Sequence, residues 1–313
     1  MKQILKISSY IFLTFIALIG MIVIVVGQRD IPRNVLKLKY ANEQSRFMPL
    51  MGMQVHYRDE GNRNDSFPIV LIHGTSSSLH TWDSIVKLMP SNKRVIRLDM
   101  PAFGLTGPNL ENKYSYAFYS SFLNAFLKQL KVDQCIIAGN SLGGGIAWHF
   151  AVDFPNQVHQ LILIDASGYP KKDEKGSLGF KIAQIPVLNN LLLFVSPKSL
   201  VKKSLENVFH DQSFVTQERI DRYHDLLLCE GNRKAALSIF KNRFDQETER
   251  IKNISQPTLI IFGEMDQLIA SENTFKFEKD IKGSKGVILK NVGHVPMEEA
   301  PNATADYIKA FIH

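Results

Sequence analysis

Cysteine is scarce in this chain of 313 residues, which contains two, at positions 135 and 229. Two cysteines give no disulfide framework, and Cys135, inside an apolar run, is expected to be a small core residue. Internal repeats, low-complexity stretches and basic clusters interleaved with aromatics are also absent. No nucleic-acid partner is therefore expected despite a net charge of +7. Hydrophobic residues at 45% and charged residues at 21% are typical of an ordinary globular protein.

Charge is missing altogether from residues 7–28, which are rich in isoleucine, leucine, valine and phenylalanine. A helix of this length spans about 33 Å, close to the hydrocarbon thickness of a bilayer. A signal peptide is the alternative, but its apolar region is usually about 7–15 residues long and ends at a small-x-small site. We predict an uncleaved transmembrane helix in residues 1–28, with membrane lipid as its partner and a membrane location. The basic residues on both flanks leave the side of the membrane open.

The rest of the chain divides into a charged linker, residues 29–46, and a large domain, residues 47–313. An alternating pattern at 51–57 predicts an edge hairpin. Short apolar runs without alternation then predict buried strands, at 69–72, 95–98, 135–138, 161–164, 259–262 and 287–289. Amphipathic patterns between them, such as 116–130, predict helices. The sequence therefore indicates an α/β fold with a mostly parallel sheet covered by helices on both faces.

One long segment breaks this alternation of strands and helices. About 90 residues between positions 164 and 259 carry helical patterns, clearest at 183–195 and 220–240, but no clear strand. So long a connection predicts an inserted helical cap at about 169–250.

A glycine lies two positions on either side of Ser141, directly after the apolar run 135–138 and before a helical pattern. Such spacing is required by a sharp strand-to-helix turn that lifts a serine hydroxyl clear of the backbone. We predict that Ser141 is a nucleophile.

A serine nucleophile needs a general base and an acid that orients it. His294 follows the last apolar run and precedes the final helical pattern, so it should lie at the same edge of the sheet as Ser141. Asp266 follows the run 259–262 and is the preferred acid. Asp165, at the end of the run 161–164, and Glu264 are the alternatives.

An oxyanion that develops at a carbonyl needs backbone N–H donors already in place. The Leu142 amide, at the start of the helix after the nucleophile, should be one donor. The second should be the Thr75 amide, because Gly74 lets the backbone approach closely. His73 is expected to form structural hydrogen bonds and not to act as a base.

Five motifs in this order resemble the α/β-hydrolase superfamily over residues 48–313, at positions 73–74, 99–104, 139–144, 263–266 and 293–294. The stretch 292–298 is similar to that of bacterial lipases and esterases, and also to that of meta-cleavage product hydrolases. The resemblance implies the triad Ser141, Asp266 and His294. Ala102 stands where many members have glycine, which should alter a turn and not the chemistry.

We therefore predict a serine hydrolase of the esterase or lipase type, which forms an acyl-enzyme on Ser141. Its substrate would be a small-molecule ester or a lipid-like ester, with no metal and no cofactor. A C–C bond hydrolase acting on a vinylogous diketone with the same triad is the first alternative. The second is a non-catalytic binding protein on the same fold, which would lack a triad member; none is missing.

Overall fold

The computed structural model describes residues 10, 14, 25–170, 185, 188–191, 193–241 and 244–312. Within these residues, eight strands form one sheet in the order β1-β2-β4-β3-β5-β6-β7-β8. The strands are β1 (Ser45–Leu50), β2 (Met53–Gly61), β3 (Ile69–Ile72), β4 (Arg94–Leu98), β5 (Cys135–Asn140), β6 (Val158–Ile164), β7 (Thr258–Gly263) and β8 (Lys285–Leu289).

The sheet is antiparallel at one edge and parallel elsewhere. Strands β1 and β2 form an edge hairpin, and β2 is also antiparallel to β4. The hairpin turns at Met51 and Gly52, which both have positive φ, at 49° and 75°. From β4 across to β8 every pairing is parallel. The mostly parallel sheet is confirmed.

Helices connect the strands and flank the sheet. Those described are α1 (Arg33–Tyr40), α2 (Asp83–Leu88), α3 (Tyr116–Gln129), α4 (Leu142–Asp153), α5 (Leu188–Leu191), α6 (Lys198–Val208), α7 (Gln217–Leu227), α8 (Asn232–Lys241), α9 (Asn273–Asp280), α10 (Pro296–Glu299) and α11 (Pro301–Phe311). Short 3₁₀ turns add Leu79–Trp82, Pro155–Gln157, Gln212–Phe214 and Thr248–Asn253.

The uninterrupted apolar runs of the strands reflect burial on both faces. Val70 and Ile72 of β3 belong to one hydrophobic cluster, whereas Ile69 and Leu71 belong to another. Side chains of α3, α4 and α9 complete the first cluster, and side chains of α2 and α11 complete the second. Because successive strand residues point to opposite faces, a strand covered on both sides must be apolar throughout. The predicted α/β class is confirmed.

Between β6 and β7 the described residues contain helices α5 to α8 and no strand. The helical pattern at 220–240 forms two helices, because the chain turns at Gly231, whose φ is 84°. Asn232 fixes this turn by donating hydrogen bonds to the carbonyls of Leu226 and Gly104. Part of the other predicted helical stretch, residues 183, 184, 186, 187 and 192, lies outside the described residues. The cap boundaries at 169 and 250 stay a prediction.

The segment interpreted as a linker contains a helix that the sequence pattern did not indicate. Leu36 is the buried residue of α1, and a single apolar contact gives no periodicity. Ile31 forms a bridge with Cys229, and the Asp30 carboxylate accepts hydrogen bonds from Arg233. These contacts join the segment to α8 and to the turn that precedes it. The division of the chain into a linker, residues 29–46, and a domain, residues 47–313, stays a prediction.

The predicted membrane location is wrong. No helix that the structure describes is long and apolar enough to cross a membrane. The longest described helix, α3, has 14 residues and measures about 21 Å, against roughly 30 Å of hydrocarbon. Residues 1–9, 11–13 and 15–24, on which most of the predicted anchor falls, lie outside the described residues.

Asp99, directly after β4, joins three parts of the fold below the carboxyl edge of the sheet. Its carboxylate accepts hydrogen bonds from the backbone N–H groups of Leu79 and Leu105, at 2.7 and 2.8 Å. It also contacts Nδ1 of His56 on β2 at 2.7 Å. Burial opposes ionisation of this carboxyl, but the attraction of His56 and their hydrogen bond hold the pKa of Asp99 well below its ordinary value.

We predict that Asp99→Ala lowers the free energy of unfolding at pH 7 by about 3–5 kcal/mol, because the substitution leaves three buried donors unpaired. The pKa of Asp99 is depressed in the folded protein, so its contribution is present above the unfolded pKa of about 3.9 and is lost progressively as the pH falls from there toward the folded pKa. Urea unfolding of both proteins between pH 3 and pH 7 measures this difference.

The matched control is Glu111→Ala, which removes an exposed carboxylate from a surface ion pair. We expect this variant to stay within about 0.5 kcal/mol of the wild type. Equal losses in the two variants at pH 7 would contradict the role of Asp99.

Candidate active site

Ser141 occupies the one-residue connection between β5 and α4, with φ 56° and ψ −119°. Helix α4 begins so close to the strand that glycine is required on both sides of the serine. A Cβ on Gly139 would lie 2.1 Å from the carbonyl oxygen of Gly143, and a Cβ on Gly143 would lie 2.4 Å from that of Ile72. The N–H of Ser141 donates to the Ile164 carbonyl of β6. These contacts hold the serine in a left-handed conformation that L-residues rarely adopt.

Asp266 and His294 meet at the same edge of the sheet. Asp266 lies three residues after β7, and His294 lies between β8 and α10. The Nδ1 atom of His294 is 2.7 Å from Oδ2 of Asp266, and the Oδ1 atom accepts from the N–H groups of Leu268 and Ile269. Burial opposes ionisation of Asp266, but the attraction of His294 and these hydrogen bonds keep the pKa of Asp266 below its ordinary value.

Asn140 joins the turn at Ser141 to the loop that carries His294. Its Nδ2 atom donates to the backbone carbonyls of Ile164, at 3.2 Å, and His294, at 3.0 Å. This role of Asn140 was not predicted from the sequence. Within the described part of the chain, no hydrogen bond joins the Ser141 hydroxyl to the His294 ring. Contacts of this kind are often long before substrate binds.

The two predicted oxyanion donors flank Ser141. A Cβ on Gly74 would lie 3.1 Å from Cβ of Ser141, so the loop that carries Thr75 approaches the serine closely. Leu142 is the first residue of α4, where a backbone N–H has no intrahelical acceptor. Among the described residues, the amides of Thr75 and Leu142 donate no hydrogen bond to the protein. Both are therefore available to an oxygen of a bound substrate.

His73 holds the loop in place. The ring is buried; its Nδ1 donates to the Gly74 carbonyl at 2.7 Å, and its Nε2 accepts from the Met100 N–H at 2.9 Å. Burial lowers the pKa of His73, which favours the neutral ring that this pattern requires. The structural role expected for His73 agrees with these contacts.

Asp165 was one of two alternatives to Asp266 as the acid that orients His294. It directly follows β6 and is completely buried. Its Oδ1 accepts a hydrogen bond from the Gly263 N–H at 2.9 Å. No contact with the His294 ring comparable to that of Asp266 is present among the described residues. The other alternative, Glu264, is exposed and accepts from the backbone N–H of Asn291. Asp266 is thus the carboxylate that the fold brings to the histidine.

Asp165, Asp266 and His294 also form the one group of possible metal ligands in the part of the chain that the structure describes, with ligand atoms within 4.8 Å of one another. The 2.7 Å hydrogen bond between Asp266 and His294 occupies the space that an ion would need between those two donors. The arrangement suits proton transfer better than metal binding.

A cavity of about 160 Å³ lies beside the loop that carries Thr75. Helices α6, α7 and α8 supply most of the rest of its wall. Apolar atoms form most of the wall surface, and half of the lining residues are apolar, among them Leu200, Val201, Leu205, Val208, Leu237 and Phe240. The cavity therefore suits an apolar group next to Thr75, whose amide is one of the two candidate oxyanion donors.

Glu298, four residues after His294, joins helix α7 to the rest of the site. Its buried carboxylate accepts hydrogen bonds from Arg219 at 2.8 Å, from the Tyr223 hydroxyl at 3.2 Å and from the Thr81 hydroxyl at 2.6 Å. The Tyr223 hydroxyl also lies 3.3 Å from the hydroxyl of Ser77. This network was not predicted from the sequence. The one indication of it was that Glu298 belongs to the stretch 292–298, which resembles known hydrolases.

Comparison with known proteins agrees with this architecture. A family model described as the alpha/beta hydrolase fold matches residues 68–181. The uncharacterized hydrolase YugF of Bacillus subtilis is 29% identical over 258 residues, which cover 82% of this chain and 92% of that protein. Lipase 1 of Psychrobacter immobilis is 28% identical over 279 residues, 83% of this chain and 81% of that protein. The meta-cleavage product hydrolase CumD of Pseudomonas fluorescens IP01 shares the fold, with a TM-score of 0.72 and 22% identity over 86% of this chain and 96% of that chain.

We predict that Gly143→Ala lowers the free energy of unfolding by about 1–3 kcal/mol, because the new methyl group would overlap the carbonyls of Ile72 and His73. Strand β3 and helix α4 would have to separate. Urea unfolding measures the loss.

The control is Gly283→Ala, at a position with φ 75° where an added Cβ has no neighbour within 4 Å. Only the conformational cost, about 1 kcal/mol, is expected there. A loss at position 143 that does not exceed the loss at 283 would contradict the close approach of α4 to β3.

Proposed function

Because this chain belongs to the α/β-hydrolase superfamily and is a hydrolase of that fold, we propose that it is a serine esterase that cleaves carboxylic esters through an acyl-enzyme on Ser141. The observation that carries the proposal is the 2.7 Å hydrogen bond between His294 Nδ1 and Asp266, at the same sheet edge as a serine in a left-handed strand-to-helix turn. No metal or cofactor takes part in the proposed reaction.

The proposed roles follow from the chemistry of a hydroxyl nucleophile. The bond to Asp266 places the proton of His294 on Nδ1, so Nε2 has a lone pair to accept the Ser141 proton. As Oγ of Ser141 attacks the ester carbonyl, the amides of Thr75 and Leu142 donate to the developing oxyanion. Collapse of the tetrahedral intermediate breaks the C–O bond, and the imidazolium returns the proton to the leaving alkoxide. Water, deprotonated by His294, then hydrolyses the acyl-enzyme.

The cavity beside Thr75 supports an apolar acyl group. Its wall is formed largely by leucine, valine and phenylalanine side chains from α6 and α8. An acyl chain in this cavity would have its carbonyl next to the Thr75 amide. Lipase 1 of Psychrobacter immobilis, 28% identical to this chain, is named a lipase, which supports a lipid-like substrate here.

We predict that Ser141→Ala lowers the hydrolysis of p-nitrophenyl esters by about 10⁴- to 10⁶-fold and abolishes labelling by a fluorophosphonate probe. The variant lacks the nucleophile for both reactions. Steady-state kinetics and intact-protein mass spectrometry measure the two effects on purified protein.

Ser213→Ala is the matched control, because Ser213 is exposed and distant in sequence from the site. It should keep both activities. Ester hydrolysis that survives in Ser141→Ala would rule out the acyl-enzyme. Wild-type protein that is neither labelled nor active would favour the non-catalytic binding protein.

A C–C bond hydrolase of the meta-cleavage type is the second candidate, because the CumD structure is named as such an enzyme. At 22% identity that likeness concerns the fold alone. The mostly apolar surface of the cavity favours the ester reaction, since a ring-fission product carries a carboxylate as well as its keto groups. Two cations, Lys203 and Arg233, also line the cavity, and Arg233 is paired with Asp30.

We therefore predict that p-nitrophenyl esters of increasing acyl length are turned over at least tenfold faster than a vinylogous diketone, expressed as kcat/KM, a difference of about 1.4 kcal/mol. Among the esters, the rate should rise with chain length until the apolar cavity is filled. Side-by-side kinetics on one preparation measure both series. Faster cleavage of the diketone would reverse the order of the two candidates.

A further inference from the structure

Two buried carboxyl groups lie side by side at the ends of β6 and β7, and the proposed mechanism uses one of them. Asp165 follows β6 directly, and Asp266 follows β7 by three residues. Oxygen atoms of the two groups and a ring nitrogen of His294 all lie within 4.8 Å of one another. Asp165 and the side chain of Asp266 are both fully removed from solvent. Water cannot screen their repulsion there, so the two cannot both carry a full negative charge.

Hydrogen-bond donors are divided unequally between the two groups. Asp266 accepts from two backbone N–H groups and from His294. Asp165 accepts from one donor, the Gly263 N–H, through Oδ1. Its Oδ2 atom is buried and receives no hydrogen bond from any described residue. A buried carboxylate oxygen without a donor is costly, but a hydroxyl in the same place can donate to its neighbour.

The backbone holds Asp165 in this position. Its φ is 42°, an uncommon value for a residue other than glycine, and its N–H donates to the Ile261 carbonyl of β7. The side chain is therefore aimed at the loop after β7 by the fold itself.

The surrounding charges agree with the division of donors. Burial and the charge of Asp266 raise the pKa of Asp165 well above its ordinary value, and Glu299 adds a further negative charge. The attraction of His294 has the opposite effect on Asp266 and keeps its pKa below the ordinary value, although burial opposes this. One proton shared by the pair therefore resides on Asp165.

We propose that Asp165 is a neutral carboxylic acid that donates its proton in a hydrogen bond to the Asp266 carboxylate, and that it is a positioning residue for the Asp266–His294 pair. The inference rests on the proposed function, because it assigns Asp165 a role in that same site. Asp266 would then hold four hydrogen bonds, with His294, Asp165 and the two backbone N–H groups. The proton stays on Asp165 throughout the reaction, so the pair contributes a single negative charge toward the imidazolium.

Asp165→Asn tests the inference because it preserves the geometry without a titratable proton. Its Oδ1 can still accept from Gly263, and its Nδ2–H can replace the hydroxyl donor to Asp266. We expect kcat within about threefold of the wild type, and no shift in the acidic limb of the pH profile of kcat/KM. If Asp165 were ionised, the substitution would remove a negative charge near His294 and would move that limb to lower pH. Such a shift would overturn the proposal.

Asp165→Leu removes the donor and should lower kcat by about tenfold or more, with rescue by the asparagine variant. Equal activities of the leucine variant and the wild type would overturn the positioning role. The matched control is Glu264→Gln, which removes an exposed carboxylate two residues from Asp266 and should leave the kinetics unchanged.

A second measurement does not depend on activity. A carboxyl with a raised folded pKa contributes stability that is present below its unfolded pKa and is lost as the pH rises toward the folded pKa. Asparagine has no such loss, so Asp165→Asn should become progressively more stable relative to the wild type between pH 4 and pH 8. Urea unfolding measures this, and the infrared difference spectrum against the wild type should lose one protonated-carboxyl band.

If the free energy of unfolding of Asp165→Asn ran parallel to that of the wild type between pH 4 and pH 8, or fell relative to it, the proposal that Asp165 is neutral would be overturned. A failure of the esterase proposal would be recognised separately, because Ser141→Ala would then retain ester hydrolysis. The unfolding measurements on Asp165→Asn do not depend on that result.

Discussion

The close approach of helix α4 to strands β3 and β5 is the constraint on which the site depends. Two glycines permit it, since a Cβ on Gly139 or Gly143 would lie within 2.4 Å of a backbone oxygen. The single residue between strand and helix must then reverse the chain, and Ser141 adopts φ 56°. The same approach brings the first N–H of α4 beside the loop after β3. Ser141, the proposed nucleophile, and the Leu142 amide, a proposed oxyanion donor, are thus positioned by one packing contact of the backbone.

Buried polar contacts connect this centre to the helices above it. The Glu298 carboxylate accepts hydrogen bonds from Arg219 and Tyr223 of α7. It also accepts one from Thr81, in the turn before α2. The His294 N–H donates to the Val208 carbonyl at the end of α6. Since α6 and α7 form walls of the apolar cavity, the elements that hold the histidine also fix the shape of the cavity. The candidate catalytic histidine and the cavity are structurally coupled in this arrangement.

The sequence predicted those features that depend on local pattern and strand order. The apolar run 69–72 is β3, with the same bounds, because a strand covered on both faces cannot alternate. His294 and Asp266 could be expected to meet because the carboxyl ends of parallel strands share one edge. The network of Glu298 could not be predicted, since Thr81 lies 217 residues away in the chain. Helix α1 was missed for a similar reason, as the buried residues that pack with Leu36 in its cluster, Leu105, Leu226 and Cys229, are distant in sequence.

Three buried aspartates along this sheet edge show why burial alone does not decide ionisation. Asp99 and Asp266 each receive two backbone N–H bonds and contact one histidine, His56 or His294. In both, these partners outweigh burial and depress the pKa. Asp165 receives one N–H bond and faces another carboxylate, so burial prevails and its pKa rises. The protonation of each carboxyl therefore depends on how many donors contact it and on the charge of its neighbours. These contacts also determine the electrostatics of the site.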